Sequence, residues 1–226
     1  MGKIGYGYGS EWHLLRYLGR HRNLLDKAVC EATGCGTIDW LDFGFDANSP
    51  GQDAEWKGLD FLNDDDDLQK AWHAYWPQGA GIHNWDAVAR ASFEGKSVWI
   101  LVETKANIEE LNSECKAQNK ESLRKIKAAF DATEKALGVP PETSWMKRYY
   151  QYCNRIAALH FLSSHGIDAR LVFVYFCGDK GDARRTCPGN PVEWNGALEL
   201  QRSFVAMPED HYLARKIHNI YLPVMP

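Results

Sequence analysis

The stretch "ARLVFVYFC" at 169–177 has one charged residue in nine, and that one stands near its start. Gly166 lies just before it and Gly178 directly after. A run this apolar, this rich in Val, Phe and Tyr and this short reads as a central strand of a sheet. A second apolar run, "SVWILV" at 97–102, belongs to a strand of the same kind. The chain must therefore supply layers that cover a sheet, and its 226 residues are enough to bury such a core in one domain. Its 45% hydrophobic and 25% charged residues are ordinary for a globular protein.

The other segments supply those layers. Residues 10–30 carry Leu14, Leu18, His21 and Leu25 at helical spacing. "TIDWLDFGFD" at 37–46 reads as a strand. The acid run "NDDDD" at 63–67 reads as a solvated loop and helix N-terminus, since the alternating ligands of a calcium loop are absent. "LQKAWHAYW" at 68–76 predicts a short helix. A hairpin follows at 84–105. Helix is predicted over 108–137 in two pieces, with Leu123, Ile126, Phe130 and Leu137 as its stripe and Pro140-Pro141 as its stop. Another helix is predicted over 144–165, with Trp145, Tyr149, Cys153, Ile156, Ala157 and His160 on one side and Gly166 as its cap. Residues 178–226 read as a loop, one or two helices and an edge strand at "NIYLPV". The order is α-β-β-β-α-β, an α/β fold with a mixed central sheet flanked by helices. No repeat or linker divides it. One domain over 1–226 is expected, with a core at about 10–177 and a C-terminal extension at 178–226.

A net charge of −4 gives no global field for nucleic acid, so any such contact must be local. The six cysteines form no CxxC pair and read as small core residues, and reduced thiols fit a cytoplasmic protein. The N-terminus has no apolar signal core, no run is long enough to span a membrane, and Tyr6 stands where a myristoylation signal has Ser or Thr.

The hairpin carries the chemistry. Residues two apart share a strand face, so Glu103 and Lys105 project together with Trp99 and Leu101. Asp86, Val88 and Arg90 share a face of the first strand. If Glu94-Gly95 is a two-residue turn, Phe93 pairs with Lys96. Counting back places Arg90 opposite Trp99, Asp86 opposite Glu103 and Asn84 opposite Lys105; a one-residue bulge would shift this pairing. Two opposed carboxylates repel unless one binds a proton or a cation bridges them. Mg²⁺ takes oxygen ligands of this kind. A lysine beside such an ion suits phosphodiester cleavage, where it positions water or stabilises the transition state.

Asp86 followed by Glu103-Thr104-Lys105 at the end of an apolar strand resembles the PD-(D/E)xK nuclease superfamily, the restriction-endonuclease-like fold. The element order is similar over 10–177. The resemblance implies a hydrolase that cuts nucleic acid, DNA expected ahead of RNA, with Mg²⁺ or Mn²⁺. Asp86, Glu103 and the Thr104 main-chain carbonyl would be metal ligands, and Lys105 the catalytic lysine. Glu11 on the first helix would assist, as an acidic residue there often joins the metal site in this family. Trp85 stands where the family has proline. Gln151 is followed four residues on by Arg155, so the QxxxY pattern of some branches is absent.

Blander readings stand beside these. Asp86, Glu103 and Lys105 would form a surface ion-pair cluster on a half-exposed sheet face, and Glu11 would be a carboxylate favoured by a helix N-terminus. Asp39 and Asp42 lie on opposite strand faces, so at most one could join the site. Lys116, Lys120, Arg124, Lys125 and Lys127 form a basic helix side, and Arg184-Arg185 a basic loop, either of which contacts phosphates or solvent. The rival to a nuclease is a non-catalytic interaction or nucleic-acid-binding module on the same fold. A glycosidase with paired carboxylates is disfavoured by Lys105 and by the short chain. No membrane partner is expected; a homodimer is compatible with the sequence.

Overall fold

Glu94 and Gly95 both have positive φ, 50° and 76°, the backbone of a type I′ turn. They close the hairpin in the expected register, from Phe93 opposite Lys96 to Ala87 opposite Val102.

The computed structural model describes residues 8–41, 44–45, 53–79, 82–140, 144–181 and 183–225. In chain order its elements are α1 (Ser10–Arg20), α2 (Arg22–Thr33), β1 (Ile38–Trp40), β2 (Gly44–Phe45), β3 (Asp53–Ala54), β4 (Trp56–Lys57), α3 (Asp66–Tyr75), β5 (Asn84–Trp85), β6 (Ala87–Phe93), β7 (Lys96–Lys105), α4 (Lys120–Leu137), α5 (Tyr150–Ser164), β8 (Ala169–Cys177), α6 (Pro191–Val205) and β9 (Ile217–Pro223). The fold is α/β, with a mixed five-stranded sheet ordered β1-β6-β7-β8-β9. The β1–β6 and β6–β7 pairs are antiparallel, and β7–β8 and β8–β9 are parallel. Two short ribbons, β2–β3 and β4–β5, complete the pairing.

The period of two in β7 divides the core. Trp99 and Leu101 pack with Val88, Ile156 and Leu159 under α4 and α5, while Val98, Ile100 and Val102 pack with Leu14, Leu18, Leu25 and Val29 under α1 and α2. All nine residues of β8 are buried between these layers, as its apolar run requires.

Several boundaries differ from the sequence reading. The helix expected over 10–30 is two, because His21 (φ −127°, ψ 30°) leaves helical geometry and serves as the end of α1 and the start of α2. The strand expected over 37–46 is only three residues long in the main sheet; Asp42 and Asp46 lie outside the described residues. Residues 112–119 form no helix, and α4 begins where Asn119 accepts bonds from the amides of Glu121 and Ser122. Trp145 and Tyr149 precede α5 instead of lying on it; they are buried in the core through turn geometry. Beyond α5, Gly166 has φ 75°, with the amides of Gly166 and Ile167 returning to Ser163 and Leu162. In the C-terminal segment α6 packs on the α4–α5 face, and β9 forms the edge of the central sheet beside β8 where an edge strand was expected.

Among the described residues, no helix is long and apolar enough to cross a membrane, and all six cysteines are free.

Candidate functional site

The ladder between β6 and β7 stops one residue short of the carboxylates. The Asp86 amide donates to the Val102 carbonyl at 3.1 Å, so Asp86 is not the ladder partner of Glu103. Its chain has turned out of register to enter β5, which pairs with β4 instead. The carboxylate is held from the side: Oδ2 accepts from the Thr104 amide at 2.7 Å and from the Thr104 hydroxyl at 2.6 Å.

Glu103 and Lys105 project toward α5. They are 2% and 8% exposed, which excludes a surface ion-pair cluster. Lys105 Nζ donates to Glu103 Oε1 at 2.5 Å. Arg155, reaching in from α5, donates to Glu103 Oε2 through Nε at 2.8 Å and Nη2 at 2.6 Å. Lys105 also lies 3.4 Å from the Gln151 amide oxygen.

Burial pushes the Glu103 carboxyl upward, but Arg155 and Lys105 outweigh it and hold the group below its ordinary value. Lys105 is the mirror case. Burial disfavours its charge, yet Glu103 and Asp86 raise its pKa. Burial, then the charge of Glu103, raises Asp86 to about 7 against the partial relief of Lys105 and Thr104. One carboxylate is thus well compensated and its neighbour poorly so.

These residues open onto a cleft of about 1270 Å³ whose walls include the start of α1, the 112–119 segment and the first turn of α5. The start of α1 is pinned there by Asp179, which accepts from the Gly9 amide at 2.8 Å and lies 3.1 Å from His13 Nε2. Glu11 lines the cleft but is exposed. Among the described residues no three His, Cys, Asp or Glu side chains are grouped to hold a metal. Asp39 lies on β1, paired with Arg90, and is not on the cleft wall.

The lining carries the carboxylates of Glu11, Glu55, Asp86, Glu103, Glu110 and Glu114 against the cations Lys105, Lys116 and Arg155, two of which are already committed to Glu103. The basic side of α4 is largely self-neutralised, with Arg124 on Glu121 and Lys127 on Asp131; Lys125 donates to the His73 carbonyl.

The donor set fits a hard divalent cation in kind: oxygen only, with one carboxylate that lacks full compensation. The Thr104 amide faces Asp86, and N–H and C=O of one strand residue point the same way, so its carbonyl lies on the Asp86 side. Glu103 is more restricted. A cation reaching it would compete with Lys105 for Oε1, since Oε2 is gripped twice by Arg155.

Arg155 escaped the sequence reading except as a failed motif position. Its signal was an arginine within the apolar run "CNRIAAL", where a charge must be paired if buried. Thr104 was read for its carbonyl alone, whereas its amide and hydroxyl hold Asp86. No protein-family model, curated protein or solved structure matches the chain.

Proposed function

We propose that this chain is a divalent-metal-dependent nuclease with a restriction-endonuclease-like core, hydrolysing phosphodiester bonds in DNA or RNA. The observation that carries the reading is the buried Lys105 ammonium beside Glu103 and Asp86 at the open end of β7, facing a cleft. The helix–three strands–helix–strand order of the main sheet supports the same class.

Asp86, the Thr104 carbonyl and Glu103 Oε1 would hold Mg²⁺ or Mn²⁺. Such an ion, when bound, polarises a phosphoryl oxygen and makes water a stronger nucleophile. The residues of the chain do the rest. Thr104 fixes the rotation of the Asp86 carboxylate through two bonds to one oxygen. Lys105 stays protonated in its carboxylate surroundings, so it acts as a cation that positions water and offsets phosphate charge rather than as a base. Glu11 at the cleft wall is available to orient water or a further ligand.

The double ion pair on Glu103 favours one competing reading, an inert module whose charges merely satisfy each other. Cleavage assays on supercoiled, linear and single-stranded DNA and on RNA, with Mg²⁺ or Mn²⁺ against EDTA, separate the two. Metal-dependent cleavage lost in Asp86→Asn supports the nuclease. Parent protein that cuts none of these substrates in any metal leaves the inert module.

A further inference from the structure

We infer that Arg155 is the positioning residue of this site: it leaves Glu103 a single exchangeable oxygen and ties the chain segment bearing Asp86 to α5. The inference rests on the metal-dependent reading above.

One guanidinium reaches Glu103 and the main chain just before Asp86. Nε and Nη2 take Glu103 Oε2, and Nη2 also donates to the Asn84 carbonyl at 2.5 Å, two residues before Asp86. Nη1 is held by Asn154 Oδ1 at 2.8 Å, and the guanidinium carbon lies 4.9 Å from the centre of the Trp85 ring. Arg155 is 4% exposed, among Ile156, Ala157 and Ala158, which are fully buried. The planar fork suits this arrangement, since it presents several donors in one fixed geometry, whereas a lysine ammonium is a compact point charge on a flexible stem.

The asymmetry on Glu103 gives the proposal its content. Oε1 is held by one flexible ammonium, while Oε2 is held twice by a guanidinium that is itself fixed on two further sides. An incoming cation displaces Lys105 and leaves Arg155 in place. Glu103 then binds through one oxygen only, and the displaced ammonium stays beside the reacting group. Without Arg155, Oε2 is free as well, so a cation that displaces Lys105 from Oε1 can grip both oxygens, and a neighbouring positive charge is gone. Cation binding becomes tighter, while the geometry between Glu103, Asp86 and Lys105 loosens.

That pairing of opposite effects distinguishes a positioning role from a merely structural one. Parent, Arg155→Gln and Arg155→Lys are compared by Mn²⁺ titration calorimetry, by melting in EDTA and by cleavage at saturating Mn²⁺. The expected result for Arg155→Gln is a lower melting temperature, tighter Mn²⁺ binding and cleavage reduced about 10- to 100-fold, the scale for losing an outer partner of a metal ligand. Arg155→Lys retains the charge, so its Mn²⁺ affinity should match the parent while cleavage stays reduced; it carries the test should Arg155→Gln fail to fold. A parent that binds and cleaves, with both variants equal to it in affinity and rate, overturns this proposal alone. A parent that binds no Mn²⁺ overturns it together with the nuclease reading.

Discussion

Thr104 donates both its amide and its hydroxyl to the same oxygen of Asp86, at 2.7 and 2.6 Å. This pair of hydrogen bonds replaces the ladder contact that a regular hairpin would have provided. Thr104→Val keeps the shape and the amide but removes the hydroxyl. Bonds to a charged acceptor are worth about 1.5–3 kcal/mol. The variant should lose stability on that scale above about pH 8, where the Asp86 carboxyl, raised to about 7, is ionised, and Mn²⁺ should bind more weakly because the Asp86 carboxylate can rotate. Chemical denaturation and calorimetry read the two effects; a variant that matches the parent in both would make the hydroxyl bond idle.

Asp86 itself should carry a pH signature. An aspartate in an unfolded chain titrates near 3.9, whereas burial and Glu103 raise it to about 7 in the fold. Between these values the folded state holds more protons than the unfolded one, so the group's contribution to stability falls as pH rises through that window. Asp86→Asn removes the effect and keeps an oxygen for Thr104. In EDTA the variant should melt close to the parent at about pH 4 and above it at about pH 8. A melting difference that does not change with pH would count against the raised carboxyl. Cleavage should be lost at any pH.

Lys105→Met tests the cation on Glu103. Removing one partner of a buried pair costs about 3–5 kcal/mol, and because Arg155 remains, the loss should fall at the low end. The metal-free variant should melt below the parent under either reading of the site. Mn²⁺ distinguishes them, since a cation at Oε1 takes over the role of Lys105 and restores much of the melting temperature. Cleavage at saturating metal should still drop by about 10² or more. Melting curves that superimpose with and without Mn²⁺ would favour the inert module.

The charge of the cleft predicts an unusual salt response. Six carboxylates face three cations there, and two of the cations are bound to Glu103. Each phosphate neutralised by protein cations on duplex DNA contributes about −0.9 to the slope of log affinity against log salt. Few phosphates can be neutralised directly in this cleft, so the slope should be shallower than about −2. Binding in Ca²⁺, over a range of KCl, measures it; a steep slope would locate a basic contact surface elsewhere on the chain.

The elements governed by local rules were legible in the sequence. The register of β6 on β7 follows from two turn residues and a period of two, and β8 from nine apolar residues. The parts that depend on docking were not. Nothing in the periodicity says that the ladder ends at Ala87, where the Thr104 amide and hydroxyl turn to the Asp86 carboxylate instead of a main-chain partner. Trp145 and Tyr149 continue the stripe of α5 yet are buried by turns, which a helical count cannot distinguish from helix. The basic side of α4 looked open because its acids, Glu121 and Asp131, were not paired with Arg124 and Lys127 at the outset. Arg155 is 52 residues from Glu103 along the chain, and their meeting depends on where α5 settles on the sheet.

The connection between β7 and β8 gives the site an order of assembly. The β6–β7 hairpin needs only its own turn and can form early, with Glu103 and Lys105 still hydrated. Arg155 arrives with α5, on the long crossover that must close before the parallel pair β7–β8 can form. Closing a long loop is slow because its entropy is lost before its contacts are gained. The charges of Glu103 therefore lose their water only at the end of folding, when their partner is already in reach. Weakening the Arg155 contact should then act mainly on the rate of unfolding and little on the rate of folding.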